Sequence, residues 1–271
     1  DRSPCVLVLH SYYPTFTWTD RITEGIQKAF SESDYAHAAL YFEHMDAKRH
    51  PDPYYLDQYA RLLSAKFPDP DAVDLILCSD DQALNFLLKR SETLFQDVPV
   101  VFCGVNGYRP EMRRQRPQLT GVIEAIDPTR TLEAALALQP GIREVLVITD
   151  ITRTGRAIEH TARTAFAPFE NRLSFRYVSD LSMDTLQEEA AALHEHAIVF
   201  LFVFNRDNQG HNFTHEESLR LIDSHCRVPI YGPWTFYLGQ GIVGGMLTSG
   251  AMQGRTAARL AFRILGGERA Q

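Results

Sequence analysis

Short apolar runs rich in β-branched residues alternate along this chain with longer stretches whose apolar positions recur every three or four residues. Residues 5–9, 74–78, 98–102, 145–148 and 197–203 predict strands, joined by 39–42, 173–178 and 228–231. Between them Trp18, Ile22, Ile26, Ala29 and Phe30 keep helical spacing, as do Leu56, Tyr59, Leu62, Leu63 and Phe67. Further helices are predicted over 83–88, 131–138, 154–166, 183–194 and 254–265, with Thr214 as N-cap and Glu217 in the capping-box position of another. Strand and helix in alternation mean βαβ units and mainly parallel sheets. The extended segment 119–124 separates two such series, and a Gly-rich strand over 241–247 precedes the last helix. The prediction is α/β, two Rossmann-like lobes, with residues 1–122 plus about 248–271 in one and 123–247 in the other.

A length of 271 residues suits two lobes, and 45% hydrophobic against 23% charged residues suits ordinary cores. A net charge of −7 argues against a nucleic-acid partner. Arg109, Arg113, Arg114 and Arg116 form a local basic run, read as a solvated loop or an anion contact. No apolar run reaches the length of a membrane span, and no leader opens the sequence; flanking membrane segments removed from a longer protein are compatible with both. Cys5, Cys78, Cys103 and Cys226 lack CxxC spacing and read as buried thiols, with a Cys78–Cys103 bridge as the oxidised alternative.

The predicted strands end in polar and aromatic residues, which in open α/β sheets is where ligands bind. His10-Ser11-Tyr12-Tyr13, Ser79-Asp80-Asp81, Cys103-Gly104-Val105-Asn106 and Asn205-Arg206-Asp207 occupy such ends, with Trp18 and Trp234 nearby. Ser11, Tyr12, Tyr13, Trp18, Asp80, Asp81, Asn106, Asn205, Asp207 and Trp234 are the candidate ligand-binding residues. Aromatic walls with carboxylates suit an amino acid, an amine or a nucleoside-like solute. Asp80 and Asp81 also sit where carboxylates favour a helix dipole, so capping by Ser79 or Asp80 accounts for them equally well.

Rival motifs are weak. Gly239-x-Gly241-x-x-Gly244 lacks the strand-turn-helix context of a dinucleotide fingerprint. Asn205-x-Asp207-x-Gln209-Gly210 with Glu216 in the twelfth place mimics a calcium loop but offers two carboxylates, and Glu43, His44, Asp46 and His50 lack metal-ligand spacing. Neither a metal nor a cofactor is expected. A cleft enzyme using Asp80 and Asp81 has no positioned nucleophile to support it.

The order of Leu9-His10-Ser11-Tyr12-Tyr13-Pro14, Ser79-Asp80-Asp81-Gln82-Ala83-Leu84-Asn85, Phe102-Cys103-Gly104-Val105-Asn106 and Gly241-Ile242-Val243-Gly244-Gly245 resembles the ABC-transporter substrate-binding-like family of type I periplasmic binding folds. The resemblance is strongest to extracytoplasmic sensor domains of bacterial histidine kinases or diguanylate cyclases, and it spans nearly the whole chain. It implies two lobes joined by three crossings, a ligand held in a cleft between them, and Glu124 as a further binding residue. It also implies a non-enzymatic sensor on the outer face of the cytoplasmic membrane, attached to transmembrane and signalling segments, with a homodimer as one expected state. A soluble substrate-binding protein of an ABC importer is the related alternative.

Overall fold

The computed structural model describes residues 2–270. The chain divides into two compact units, Asp1–Ala125 with Ser249–Gln271, and Ile126–Thr248. It passes from one to the other twice, after Ala125 and after Thr248, where the family resemblance implied three crossings. The C-terminal helix, Gly250–Leu265, packs on α1 (Thr17–Ser31) in the first unit.

In the first unit β1 (Cys5–His10), β2 (Ala39–His44), β3 (Leu75–Ser79), β4 (Val100–Val105) and β5 (Leu119–Ile123) form a parallel sheet in the order β2-β1-β3-β4-β5. The three central strands β1, β3 and β4 are almost entirely buried, which explains their unbroken apolar runs: both faces of a parallel sheet are covered. Leu7, Leu9, Ile76, Cys78, Val100 and Phe102 pack against α2 (Pro53–Lys66) and α3 (Asp80–Lys89) through Leu63, Leu84 and Leu87. Strand alternation sends Val6, Val8, Leu77 and Val101 to the other face, toward α1 and the C-terminal helix.

Two glycines let those helices meet backbone to backbone. A Cβ on Gly25 would lie 2.1 Å from the Ala251 carbonyl oxygen, and one on Gly254 would lie 2.2 Å from that of Ile22. Alanine gains up to about 1 kcal/mol of helix propensity over glycine. Here that gain is outweighed, because main chain cannot rotate away as a side chain can. Gly25→Ala should therefore lower stability by about 1–3 kcal/mol in denaturant titration; an unchanged or raised midpoint would contradict this packing.

The second unit holds α4 (Pro128–Leu138), β6 (Glu144–Ile148), α5 (Arg153–Phe166), β7 (Ser174–Val178), α6 (Met183–Ala191), β8 (Ala197–Leu201), α7 (His215–Asp223) and β9 (Ile230–Tyr231). Its parallel sheet runs β7-β6-β8-β9. Local chemistry starts its helices. Asp127, Thr152, Ser182 and Thr214 each accept a backbone N–H of the first turn, and Thr214 with Glu217 closes the reciprocal capping box.

Two expectations are corrected, and one alternative falls. Residues 241–247 form no strand, only a single bridge of Gly244 to Tyr231, with another of Thr248 to Trp234 just beyond. Gly241, at φ 133°, interrupts the extended path, and the close approach of Gly245 to the Gly232 carbonyl, 2.4 Å from an added Cβ, leaves no room for alternating side chains. Cys78 pairs with Phe102 and Cys103 with Ser79, so the two cysteines point to opposite faces of the sheet and cannot bridge. Both are free, and burial raises both thiols. Arg116 is not solvated: it is buried, and its guanidinium donates to the Leu94 and Phe95 carbonyls at 2.9 and 2.6 Å.

Candidate functional site

The carboxyl ends of β1, β3 and β4 gather Ser11, Trp18, Asp80, Asp81 and Asn106. Ser11 sits one residue beyond β1, and its Oγ donates to the Ser79 carbonyl at 2.6 Å and accepts the Ala83 N–H at 2.7 Å. The first turn of α3 is thus capped from a neighbouring strand. Ser79 occupies the N-cap position without a side-chain bond to the helix, which corrects the expectation that Ser79 or Asp80 would do this. The φ of Asp80 is 69°, a left-handed backbone in which aspartate is better tolerated than most residues but still strained. That turn aims its carboxyl inward, away from the helix end.

Asp80 is buried. Its Oδ1 accepts the Trp18 indole N–H at 2.8 Å, and its Oδ2 lies 3.0 Å from Ser79 Oγ. Gly104, at φ 64°, leaves the space for this pair, since a Cβ there would lie 3.0 Å from Asp80 Oδ1 and 3.3 Å from Trp18 Nε1. Burial first, and the nearby Glu124 second, push the Asp80 carboxyl up to about 8 against the pull of those two hydrogen bonds. Behind it His10 is fully buried and contacts Ser79 Oγ through Nδ1 at 2.9 Å and Thr23 Oγ1 through Nε2 at 3.0 Å. Burial, then His44, lowers the imidazole to about 3, so it is neutral.

A second polar group adjoins. Asp81 accepts the Gly107 N–H at 2.9 Å, and Asn106 donates to Glu124 at 3.0 Å. Gln253 of the C-terminal helix accepts the Gly104 N–H at 3.0 Å and donates to the Ile123 carbonyl, tying the ends of β4 and β5 together. The aromatic loop after β1 is packed: Tyr12 and Phe16 meet edge to face at 5.4 Å, and the Tyr12 hydroxyl donates to Gln82. Lys48 lies 4.5 Å from the Tyr12 ring and 4.1 Å from the Phe16 ring, and Arg49 lies 4.0 Å from that of Tyr13. Neither cation stands out in the sequence, because both come from the loop after β2, which carries no motif. The fold brings that loop beside β1 through backbone bonds from Met45 to His10 and from Ala47 to Ser11.

In the second unit the ends of β6 and β8 carry Asp150 and Asn205. Asp150 is buried and accepts the Asn205 N–H at 2.8 Å. Asn205 contacts His215 Nδ1 at 3.1 Å, and His215 stacks on Phe236 at 4.0 Å, which stacks in turn on Trp234 at 5.7 Å. Asn205 and Trp234 therefore belong to one assembly that also includes Asp150, His215 and Phe236. Asp207 does not join it. Its buried carboxylate accepts the Gln209 and His211 N–H groups of its own loop and contacts the His211 ring. Burial acts to raise this carboxyl, and the bonds from His211 together with a backbone bond from Met183 outweigh it and lower it.

The weak motifs resolve locally. Glu43 pairs with Lys66, Asp46 with Arg49, and His44 lies against His10. Among the described residues no group of three or more such side chains could hold a metal ion. Gly239, Gly241 and Gly244 all have positive φ and open no helix.

No family model and no curated protein matches this sequence. Solved structures do. The chain is similar to the ABC domain in complex with L-Trp from Streptococcus pneumonia, at 14% identity and TM-score 0.66, covering 99% of this chain and 87% of that one. It is similar to a solute binding protein of an ABC transporter from Rhodopseudomonas palustris BisB5 in complex with 3,4-dihydroxy benzoic acid, at 15% identity and TM-score 0.61, covering 98% and 82%. A periplasmic binding ribose operon repressor protein from Lactobacillus acidophilus gives 10% identity and TM-score 0.64, covering 98% and 92%. The fold is that of the type I periplasmic binding proteins.

Proposed function

We propose that this chain is an extracytoplasmic sensor domain of a membrane signalling protein, and that it binds a small zwitterion with a flat or apolar part, such as an amino acid. The carrying observation is the chemistry at the sheet ends: in the first unit Asp81 and Glu124 lie close to Asn106, and Tyr12, Tyr13 and Phe16 carry Lys48 and Arg49. Groups of both signs beside aromatic rings suit a ligand bearing ammonium and carboxylate better than a bare amine. Two structural neighbours hold aromatic small molecules, which agrees with this reading. Greater affinity for one state of the domain than for another would bias attached segments. Among the described residues no helix is long and apolar enough to cross a membrane, so an anchor would come from outside them.

The likeness to a solute binding protein of an ABC transporter supports a second reading, delivery of a solute to an importer. A transmembrane span encoded in the same chain decides for the sensor. The enzyme reading loses its residues: Asp80 is buried against Trp18 and Ser79, and Asp81 accepts backbone N–H groups.

A thermal-shift screen of amino acids, amines, nucleosides, sugars and carboxylates tests the proposal. At about 100 times Kd a ligand adds roughly 2.7 kcal/mol, a shift of a few degrees. A response limited to amino acids supports it, and a response limited to sugars or bare anions overturns the ligand class. Asn106 is exposed, so Asn106→Ala should weaken the responding ligand about tenfold while the ligand-free melting point stays within about a degree. Unchanged affinity would remove Asn106 from the site.

A further inference from the structure

Hydrogen bonds link Asp80 to α1 by two routes. One is direct, through Trp18; the other runs from Asp80 Oδ2 to Ser79 Oγ at 3.0 Å, from Ser79 to His10 Nδ1 at 2.9 Å, and from His10 Nε2 to Thr23 Oγ1 at 3.0 Å. The Thr23 hydroxyl also lies 2.9 Å from the Thr19 carbonyl, which can only accept.

Two sets of hydrogen positions fit these contacts, and the first places the Thr23 hydrogen on Thr19. Thr23 spends its single hydrogen on Thr19, so it accepts from His10, and the imidazole carries its hydrogen on Nε2. The Nδ1 lone pair then accepts the Ser79 hydroxyl. With that hydrogen spent, Ser79 can only accept from Asp80, whose Oδ2 must carry a proton. A neutral imidazole in this arrangement therefore requires a neutral Asp80.

Removing the Asp80 proton selects the second set, which gives up only the contact of the Thr23 hydroxyl with Thr19. The Ser79 hydroxyl turns to the carboxylate, the imidazole hydrogen moves from Nε2 to Nδ1 to meet Ser79, and the Thr23 hydroxyl leaves Thr19 to donate to the bared Nε2. One proton goes to water, and the ring keeps one N–H throughout.

We propose that Asp80, Ser79, His10 and Thr23 form a proton-sensing relay that converts the ionisation of Asp80 into a tautomer switch of His10 and a turn of the Thr23 hydroxyl on α1. It is independent of the ligand assigned above. The titratable groups around Asp80 are Glu124 beyond β5, Asp81 on α3, Cys78 on β3 and Cys103 on β4, and His10 faces His44 on β2. Glu124 and Asp81 favour the neutral acid. From the C-terminal helix, Gln253 reaches this region and is neutral. The midpoint falls at about 8, with His10 uncharged on both sides of it.

Imidazole nitrogen shifts measured by long-range nitrogen–proton NMR across this midpoint test the relay. In the parent protein the His10 signals should pass from the Nε2–H to the Nδ1–H pattern as pH rises. Asp80→Asn, whose amide donates permanently to Ser79, should hold His10 as Nε2–H throughout. Should that variant fail to fold, Ser79→Ala cuts the chain at its middle and should leave the His10 tautomer unresponsive. A parent His10 that keeps one tautomer across the midpoint would overturn the proposal. So would a switch that persists in either variant, since its source would then lie elsewhere, His44 being nearest.

Discussion

Asp80→Asn should make the protein more stable than its parent at alkaline pH, by an amount on the order of 5 kcal/mol above the Asp80 midpoint. The sign follows from proton counting. The carboxyl titrates at 3.8 when unfolded and at about 8 when folded, so between these values the native state binds more protons. Its contribution is full below 3.8 and is lost as pH rises through about 8. His10 works in the opposite sense: its folded value of about 3 against 6.5 means that stability is lost as pH falls from 6.5 through 3. The two slopes oppose one another from about 4 to 6.5, which leaves the Asp80 decline visible from 6.5 to 8. Asparagine can accept from Trp18 and donate to Ser79, as the neutral acid does, and it never ionises. Because His10 is common to both proteins, their denaturant midpoints should diverge progressively from pH 3.8 to about 8; parallel curves would show that Asp80 stays charged in the fold.

Phe166→Ala should cost about 3–5 kcal/mol in the second unit. Phe166 is fully buried at the end of α5, where its ring lies 5.1 Å from both Phe175 and Phe200 and 6.4 Å from Phe202. Removing it leaves a cavity lined by rings from two strands and breaks several aromatic pairs at once, while the sheet backbone holds those rings too firmly to collapse inward. Each unit contains one tryptophan, Trp18 in the first and Trp234 in the second. In a Trp18→Phe background, Trp234 fluorescence reports the second unit directly. A denaturation midpoint there that does not move would contradict the central place of Phe166.

The alternation of strand and helix was legible in the sequence because parallel strands covered on both faces must be apolar throughout, as at 75–79 and 100–105. The Thr214 and Glu217 capping box was equally legible, being local. The Gly-rich segment 241–247 misled, since alternation of apolar residues cannot reveal a glycine at φ 133°. At the candidate site the residue types were visible and their roles were not. Asp80 looked like a dipole-facing carboxylate, and its inward turn depends on a cap borrowed from Ser11, a partner on α1 and a gap at Gly104. Those are meetings of distant segments, for which a linear pattern carries no period.

The glycine contacts of α1 with the C-terminal helix set an order in time. As the ribosome releases the chain, α1 emerges before its partner helix, with the whole of Ile126–Thr248 made in between. The second unit, continuous in sequence, can fold while synthesis proceeds; the first must wait with the buried stripe of α1, including Ile22 and Ile26, lacking its helical cover. Until that cover arrives the first unit is therefore the more prone to aggregation, and a pause in translation before Gly250 would prolong the exposure.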